Sequence, residues 1–220
     1  MGHIITFLVI AVSLAIVPAY AQDMGLYSNK LYDFSFNVPT DWKYRENIVT
    51  ANGEPVQVAF FPSGFDPLLN INSPQILVIF ENLGESKVSS MNDKAVANYY
   101  LEKFRNNILG GKLITSEVES TSWGWIFTQK FSFPMNYGLA SNPQFITEQK
   151  SFVFKDREAY VVAYFATEEY YQIYYPVYEN VLDTLVLKGV TVPEFNEIAL
   201  MVLGSSTVLV IIFARKFTKV

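Results

Sequence analysis

The chain of 220 residues contains no cysteine and a single histidine, His3. His3 lies in a segment that we expect to be removed on export, so the mature chain would lack Ser-His-Asp and Cys-His catalytic centres and His/Cys zinc sites. The remaining chemistry uses carboxylates, lysine or tyrosine, or a hard cation bound by oxygen atoms. An exported domain without disulfides depends on its hydrophobic core, and aromatic residues make up 16% of this chain.

Clusters of positive charge are also missing between Gln22 and Val192. The sequence has 16 Lys and Arg residues against 21 Asp and Glu residues, a formal net charge of −5. A nucleic-acid-binding surface needs grouped cations, because binding depends on the release of counterions from the phosphates. We therefore expect no nucleic-acid partner.

The first 21 residues have the pattern of a signal peptide. Residues 4–17 are uncharged and mostly apolar. Ala19 and Ala21 then form the small-x-small pattern that signal peptidases recognise, with cleavage expected before Gln22. Residues 1–21 contain no Lys or Arg, so an uncleaved N-terminal anchor stays open as the alternative.

The C-terminal region predicts a membrane span. Residues 198–214 carry no charge, and a helix of this length extends about 25 Å, near the lower limit for a bilayer. Arg215, Lys216 and Lys219 follow in a basic tail, residues 215–220, and such charges favour the cytoplasmic side. The alternative is a buried core helix, but the segment has no polar stripe. We expect a single-pass cell-membrane protein whose domain is extracellular.

One domain is predicted for residues 22–190, followed by a linker at 191–197. Aromatic and polar residues alternate from 31 to 38, which predicts a strand, a turn and a return strand that begins at Trp42. The loop at 62–75 is interpreted as a surface connection, with a binding loop as the alternative. Further strands are predicted at 56–62, 76–81, 112–135, 145–155 and 158–167.

Two helices are predicted, at 90–109 and 168–187, where apolar residues recur at helical spacing. Pro176 must either kink the second helix or lie in its first turn. The stripe of that helix consists of Tyr171, Tyr175, Tyr178, Leu182 and Leu185. The order of elements predicts an α+β fold in which helices sandwich an antiparallel sheet.

Residues 32–42, with the sequence YDFSFNVPTDW, resemble the opening hairpin of the PsbP family. That family contains extrinsic proteins of photosystem II and related small α/β/α proteins, including Ran-binding members. Residues 160–187 are similar to its closing strand and helix. The resemblance covers most of residues 27–188 and implies a PsbP-like docking domain without catalysis.

Pro193, Glu194, Phe195 and Asn196, ahead of the hydrophobic segment and its basic tail, look like the PEFG-CTERM sorting signal of archaeal surface proteins. This second resemblance implies a cell-surface protein whose C-terminal helix a sortase-like enzyme replaces with a lipid anchor. Asn196 stands where the family has glycine, so removal and retention of the helix both stay open.

A tyrosine cluster is the first candidate for a binding surface. Tyr170, Tyr174 and Tyr178 recur at helical spacing and could form a partner-binding face, because tyrosine offers a large contact area at low entropic cost. The alternative is that these rings pack on the sheet. Trp123 and Trp125 are interpreted as residues of one strand face, with sugar stacking as the alternative.

Two carboxylate pairs are the remaining chemical candidates. Glu117 and Glu119 fall on one strand face, and Glu168 and Glu169 lie at the start of a helix. Paired acids can hydrolyse glycosides or bind calcium or manganese. Acids at a helix start also stabilise the helix dipole without any ligand. We therefore predict no metal site and no cofactor.

These observations predict a non-catalytic, membrane-tethered binding module that docks on an envelope or membrane protein complex. Two alternatives stay open. One is a surface domain that binds a metal or a solute, and the other is an envelope hydrolase that uses paired carboxylates.

Overall fold

The computed structural model describes residues 22–49, 53, 55–65, 73–85, 92, 94–96, 98, 99, 102, 103, 111–134 and 144–191. The predicted signal peptide, the motif at 193–196, the hydrophobic segment 198–214 and the basic tail lie outside these residues. Within the described residues, no helix combines the length and the apolar character that a membrane crossing requires.

The described part of the chain has a strand-rich α+β fold, as predicted. Its strands are β1 (Met24–Asn29), β2 (Phe34–Pro39), β3 (Trp42–Val49), β4 (Pro55–Pro62), β5 (Gln75–Asn82), β6 (Lys112–Ser120), β7 (Gly124–Pro134), β8 (Gln144–Phe154), β9 (Glu158–Thr167), β10 (Val186–Leu187) and β11 (Val190–Thr191). Helix α1 (Glu168–Asp183) connects β9 to β10, and a 3₁₀ turn spans Leu83–Glu85.

The strands form two antiparallel sheets. The large sheet has the order β3-β4-β5-β9-β8-β7-β6, and the small sheet has the order β1-β2-β10-β11. In the small sheet, Phe34 pairs with Leu187 and Ser35 pairs with Val186. Strand β2, near the N-terminal end of the described chain, therefore pairs with β10, near its C-terminal end.

The main core lies between one face of the large sheet and the layer that the small sheet and α1 form. Phe152 and Val162 belong to this core, whereas their chain neighbours Val153 and Val161 belong to a second cluster on the opposite face. Val96, in the helical stretch 94–96, packs in the second cluster. Helix α1 buries Tyr171, Tyr178, Val181 and Leu182 against the main core.

The strands predicted at 56–62, 76–81, 145–155 and 158–167 are confirmed as β4, β5, β8 and β9. The predicted hairpin between residues 31–38 and the strand from Trp42 is wrong. Strand β3 does begin at Trp42, but it pairs with β4 in the large sheet. The edges of β2 are already occupied, by β1 on one side and by β10 and Thr184 on the other. The chain therefore crosses to the other sheet after Pro39.

The helix predicted at 168–187 is confirmed but ends at Asp183, so Leu185 is buried in the connection to β10. Pro176 lies inside α1. Of the helix predicted at 90–109, the described residues 94–96, 98, 99, 102 and 103 are helical. Asn92 caps this stretch, because its side-chain oxygen accepts a hydrogen bond from the Ala95 N–H at 2.9 Å.

The prediction that Trp123 and Trp125 share one strand face is wrong. Trp123 stacks on Phe154 in the main core, with 4.7 Å between ring centroids. Trp125 packs against the second cluster on the opposite face. Strand β7 begins at Gly124, so the alternation of a strand does not extend to Trp123.

Candidate functional site

Two cavities lie on opposite sides of α1. The polar pocket, of about 530 Å³, is bounded by β6, β7, β8 and the C-terminal half of α1, and its charged and aromatic lining residues are Glu117, Lys130, Glu148, Lys150, Tyr175, Glu179 and Asp183. The aromatic groove, of about 270 Å³, is bounded by β3, β4 and the middle of α1. Its main lining residues are Trp42, Pro62, Phe65, Ile173, Tyr174 and Pro176.

Strand register builds the floor of the polar pocket. Two rows of cross-strand neighbours run over β6, β7 and β8: Thr115, Lys130 and Glu148 in the first, and Glu117, Thr128 and Lys150 in the second. The rows are two residues apart, so all six side chains project from one face of the sheet. Phe152, two residues beyond Lys150 on β8, lies in the main core. The pocket is therefore the polar end of the core face.

Glu148 is anchored at the centre of this floor. Its Oε2 accepts a hydrogen bond from the Tyr171 hydroxyl at 2.9 Å, and its Oε1 accepts one from the Tyr175 hydroxyl at 2.8 Å. Lys130 Nζ lies 3.5 Å from Glu148 Oε2 and 4.4 Å from the centroid of the Tyr171 ring. Burial, and then the charge of Glu148, raise the pKa of Tyr171 far above its ordinary value, so its hydroxyl stays a donor.

The helix contributes two more acids, Glu179 and Asp183, which lie one turn apart on α1. Burial raises the pKa of both carboxyls, and the charges of Asp183 and Glu148 raise the pKa of Glu179 further. Lys150 lowers both pKa values without cancelling the rise. Among the described residues, four carboxylates and two lysines line the pocket, a formal charge of −2.

The carboxylate pairs predicted from the sequence are not the acids that meet here. Glu117 lines the polar pocket, whereas Glu119 lies in the next row, opposite Ile126. Glu168 and Glu169 occupy the first turn of α1, where the helix dipole favours acids. Within the described residues, no group of three or more acidic or histidine side chains is arranged to hold a metal ion.

Aromatic edges form the walls of the aromatic groove. Trp42 meets Tyr174 edge to face, with 5.9 Å between the ring centroids. Phe65 meets Tyr170 and Tyr174 in the same way, at 5.1 and 6.0 Å. Strand pairing puts Trp42 opposite Pro62, which fixes one wall relative to the sheet. The groove is therefore a preformed surface walled by aromatic rings, to which Gln22, Asp41 and Ser63 add polar groups.

The indole of Trp42 supplies a polar group in this apolar setting. Trp42 is 6% exposed, and among the described residues nothing accepts a hydrogen bond from its Nε1–H. A buried donor without a partner costs about 1–3 kcal/mol. A donor of this kind beside a cavity is suited to an acceptor on a ligand.

The three tyrosines of the predicted binding face, Tyr170, Tyr174 and Tyr178, do not lie on one surface in the structure. Tyr174 lines the aromatic groove, and Tyr170 contacts Phe65 at its border. Tyr178 is fully buried, and its hydroxyl donates to the Val162 carbonyl at 3.3 Å. Tyr178 shares the sheet-facing stripe of α1 with Tyr171, so it belongs to the core and not to a binding face.

A third cavity, of about 330 Å³, adjoins the aromatic groove and shares Ser63, Gly64 and Phe65 with it. Lys43 and Arg45 of β3 line this cavity. In a chain with a formal charge of −5, the two residues place positive charge beside an apolar surface. Asp41 lines the groove itself, so an acidic group on a ligand would be favoured on the side of this adjoining cavity.

Sequence reasoning missed Lys130, Glu148 and Lys150. The signal is present in β8, where Glu148 and Lys150 take alternate positions that continue as Phe152 in the main core. A charged residue at an inward position of a central strand costs desolvation free energy, which indicates a site.

No protein-family model and no curated protein sequence matches the chain. Similar solved structures include cyanobacterial PsbP from Synechocystis, with a TM-score of 0.48 and 12% identity over 78% of this chain and 96% of that chain. LpqN, involved in cell envelope biogenesis of Mycobacterium tuberculosis, has a TM-score of 0.46 and 8% identity over 77% and 87%. The Ran-binding protein Mog1p of Saccharomyces cerevisiae has a TM-score of 0.47 and 9% identity over 76% of this chain and 96% of that chain. PsbP-like structures are thus among the neighbours, at scores that assign no function.

Proposed function

We propose that this chain is a non-catalytic binding module, tethered to the outer side of a membrane, that docks on an envelope or membrane protein through the aromatic groove. The observation that carries the proposal is the buried, unpartnered indole N–H of Trp42 beside a cavity lined by aromatic rings and prolines. Docking of this kind requires an acceptor and an apolar segment from the partner, and no nucleophile.

The sequence at the two ends supports the tether. Residues 1–21 have the pattern of a signal peptide, and residues 198–214 have the length and apolar character of a short membrane helix. Arg215 and Lys216 follow that segment and favour a cytoplasmic C-terminus. This topology would present the aromatic groove to the outside. Processing at residues 193–196 would keep the domain on the same side.

The groove fits an extended, proline-containing segment of the partner. Such segments present exposed carbonyls and proline rings, and the grooves that recognise them are lined by aromatic side chains. The Trp42 Nε1–H would donate to a carbonyl, and a proline ring would pack against Tyr174 and Phe65. Lys43 and Arg45 in the adjoining cavity favour an acidic residue next to the proline.

Photocrosslinking from Ile173 in cells that make the full chain tests the proposal. Ile173 lines the groove and is 49% exposed, so a photoreactive residue there faces the occupant. We expect one envelope or membrane protein, crosslinked within a proline-containing segment that mass spectrometry identifies. A synthetic peptide of that segment should bind the full chain in detergent. The substitution Trp42→Phe should weaken binding about tenfold, because it removes one buried hydrogen bond.

Ile114 provides the matched control, because it is 47% exposed but lies in β6. Equal capture from both positions would contradict the proposal, as would a captured peptide whose binding ignores Trp42→Phe. A crosslink to residues 192–197 of the same chain would make the groove a seat for the chain's own tail. A crosslink between two copies would make it a dimer interface. Either result would replace the proposed partner.

A carboxylate-dependent hydrolase is the second candidate, because four acids line the polar pocket. Glu148 already accepts two tyrosine hydrogen bonds, so Glu117, Glu179 and Asp183 are the acids to test. The measurement is hydrolysis of a panel of chromogenic glycosides by the purified full chain. A rate that disappears in Glu179→Gln or Asp183→Asn would establish the hydrolase, and the absence of any rate would remove it.

A further inference from the structure

The polar pocket has no part in the proposed docking and carries a different chemistry. We propose that it binds a small aliphatic polyamine, with the ammonium groups near Glu179 and Asp183 and the hydrocarbon chain against Tyr175 and Leu182. The proposal is independent of the aromatic groove, because no described residue lines both cavities.

The floor of the pocket is held in place before any ligand arrives. Tyr171 and Tyr175 donate hydrogen bonds to the two oxygens of Glu148, at 2.9 and 2.8 Å. Lys130 lies between Glu148 Oε2, at 3.5 Å, and the Tyr171 ring, at 4.4 Å from its centroid. Glu148 and Lys130 therefore offset each other's charge on a fixed surface.

The other charges of the pocket are unbalanced. Glu117, Glu179 and Asp183 stand against Lys150, which is 5% exposed on the floor. Burial, and for Glu179 the neighbouring acids, keep the pKa of both helix carboxyls raised despite Lys150. A cation at the helix side would relieve this excess of negative charge. An anion would increase it.

The shape of the pocket favours an organic cation over a metal ion. A volume of about 530 Å³ is that of a small-molecule site and far exceeds a bare ion. Within the described residues the acids are not arranged as a metal site. Tyr175 and Leu182 add apolar surface that suits a hydrocarbon chain. Two ammonium groups would match the formal charge of −2.

Titration calorimetry with 1,4-diaminobutane tests the inference on the full chain in detergent at physiological ionic strength. We expect saturable binding of one diamine per chain, and none of 1,4-butanediol, which has the same length without the charges. The double variant Glu179→Gln/Asp183→Asn should weaken binding by about tenfold or more, because it removes the charges that contact the ligand.

The matched control is Glu168→Gln/Glu169→Gln, which removes the same two charges from the first turn of the same helix. It should leave the affinity within about twofold, because exposed charges farther apart than the Debye length, about 8 Å at this ionic strength, are largely screened. Equal losses in the two double variants would reduce the effect to general charge attraction and overturn the inference. Absence of diamine binding, or calcium binding with the same dependence on Glu179 and Asp183, would also overturn it.

Discussion

The two sides of α1 carry different chemistry although they share one buried stripe. On one side, Ile173 and Tyr174 face a groove walled by aromatic rings, and on the other, Glu179 and Asp183 face a pocket with several charged residues. The difference continues in the large sheet beneath the helix. The end formed by β3 and β4 presents tryptophan and proline, and the end formed by β7 and β8 presents lysine and glutamate.

A single helix can separate two cavities and fix the position of a wall in each of them. The stripe that contains Tyr171 and Tyr178 sets the position of α1 on the sheet, and each flank then takes its character from a different pair of strands. A change in the stripe should therefore affect both sites. A change on one flank should affect one site only.

Truncation of a side chain in the buried stripe of α1 should have the largest effect on the free energy of unfolding. Tyr178→Ala removes a fully buried ring and should lower the free energy of unfolding by about 3–5 kcal/mol. Tyr178→Phe removes only the hydroxyl and its bond to the Val162 carbonyl, at a cost of about 1 kcal/mol. Urea unfolding of the full chain in detergent, followed by circular dichroism, measures both. Similar costs for the two variants would contradict the role of the ring in seating α1.

A substitution at Glu148 should disturb the polar pocket and leave the aromatic groove unchanged. Glu148→Leu leaves Lys130 without its carboxylate and the Tyr171 and Tyr175 hydroxyls without their acceptor, and should cost about 3 kcal/mol. Glu148→Gln keeps one acceptor and should cost less. The same unfolding experiment compares them, and photocrosslinking from Ile173 should be unchanged in both. Loss of crosslinking in Glu148→Gln would show that the flanks are coupled.

The smallest effect on stability is expected from substitution of the acids that α1 contributes to the polar pocket. The raised pKa of Asp183 means that the folded state binds this proton more tightly than the unfolded state. Stability is therefore lost as the pH rises from the ordinary carboxyl range, about 4, through the raised pKa. Asp183→Asn should stabilise the chain at neutral pH by less than about 1 kcal/mol, because the group is largely exposed.

Thermal unfolding at several pH values measures this difference, which should vanish in acid. Glu168→Gln should instead lower stability at neutral pH, because it removes an acid that interacts favourably with the helix dipole in the first turn of α1. If Asp183→Asn lowered stability at neutral pH, the carboxylate would be paired favourably and the pocket would not carry excess negative charge.

Local sequence patterns account for the parts of the fold that were predicted. Strands β4, β5, β8 and β9 are visible as short runs rich in β-branched and aromatic residues, and the stripe of α1 is visible because its apolar residues recur at helical spacing. The pairing of β2 was not predictable in this way, because its neighbours are β1, where Leu26 is exposed, and β10, which has two residues. Pairing partners far along the chain leave no local signal.

The candidate sites were predictable only in part. The density of tyrosines pointed to Tyr170 and Tyr174 at the groove, but the rotation of α1 on the sheet decides that Tyr178 is core. The alternation of β8 puts Glu148 and Lys150 on the same face as Phe152, but only the packing of α1 over that face shows that the two charges are buried. Orphan donors such as the Trp42 indole depend on the whole tertiary structure.

The strand pairing of the small sheet has a consequence for folding during synthesis. The Asn37 N–H donates to Thr184 Oγ1, 147 positions further along the chain, and Phe34 pairs with Leu187. Contacts that close such a long loop form late, because the chain entropy must be lost before the contact is gained. When β2 leaves the ribosome or the translocation channel, its neighbour β1 has already emerged but β10 has not. One edge of β2 therefore stays unpaired until residues 184–187 emerge, so the small sheet is completed only after the whole large sheet has been made.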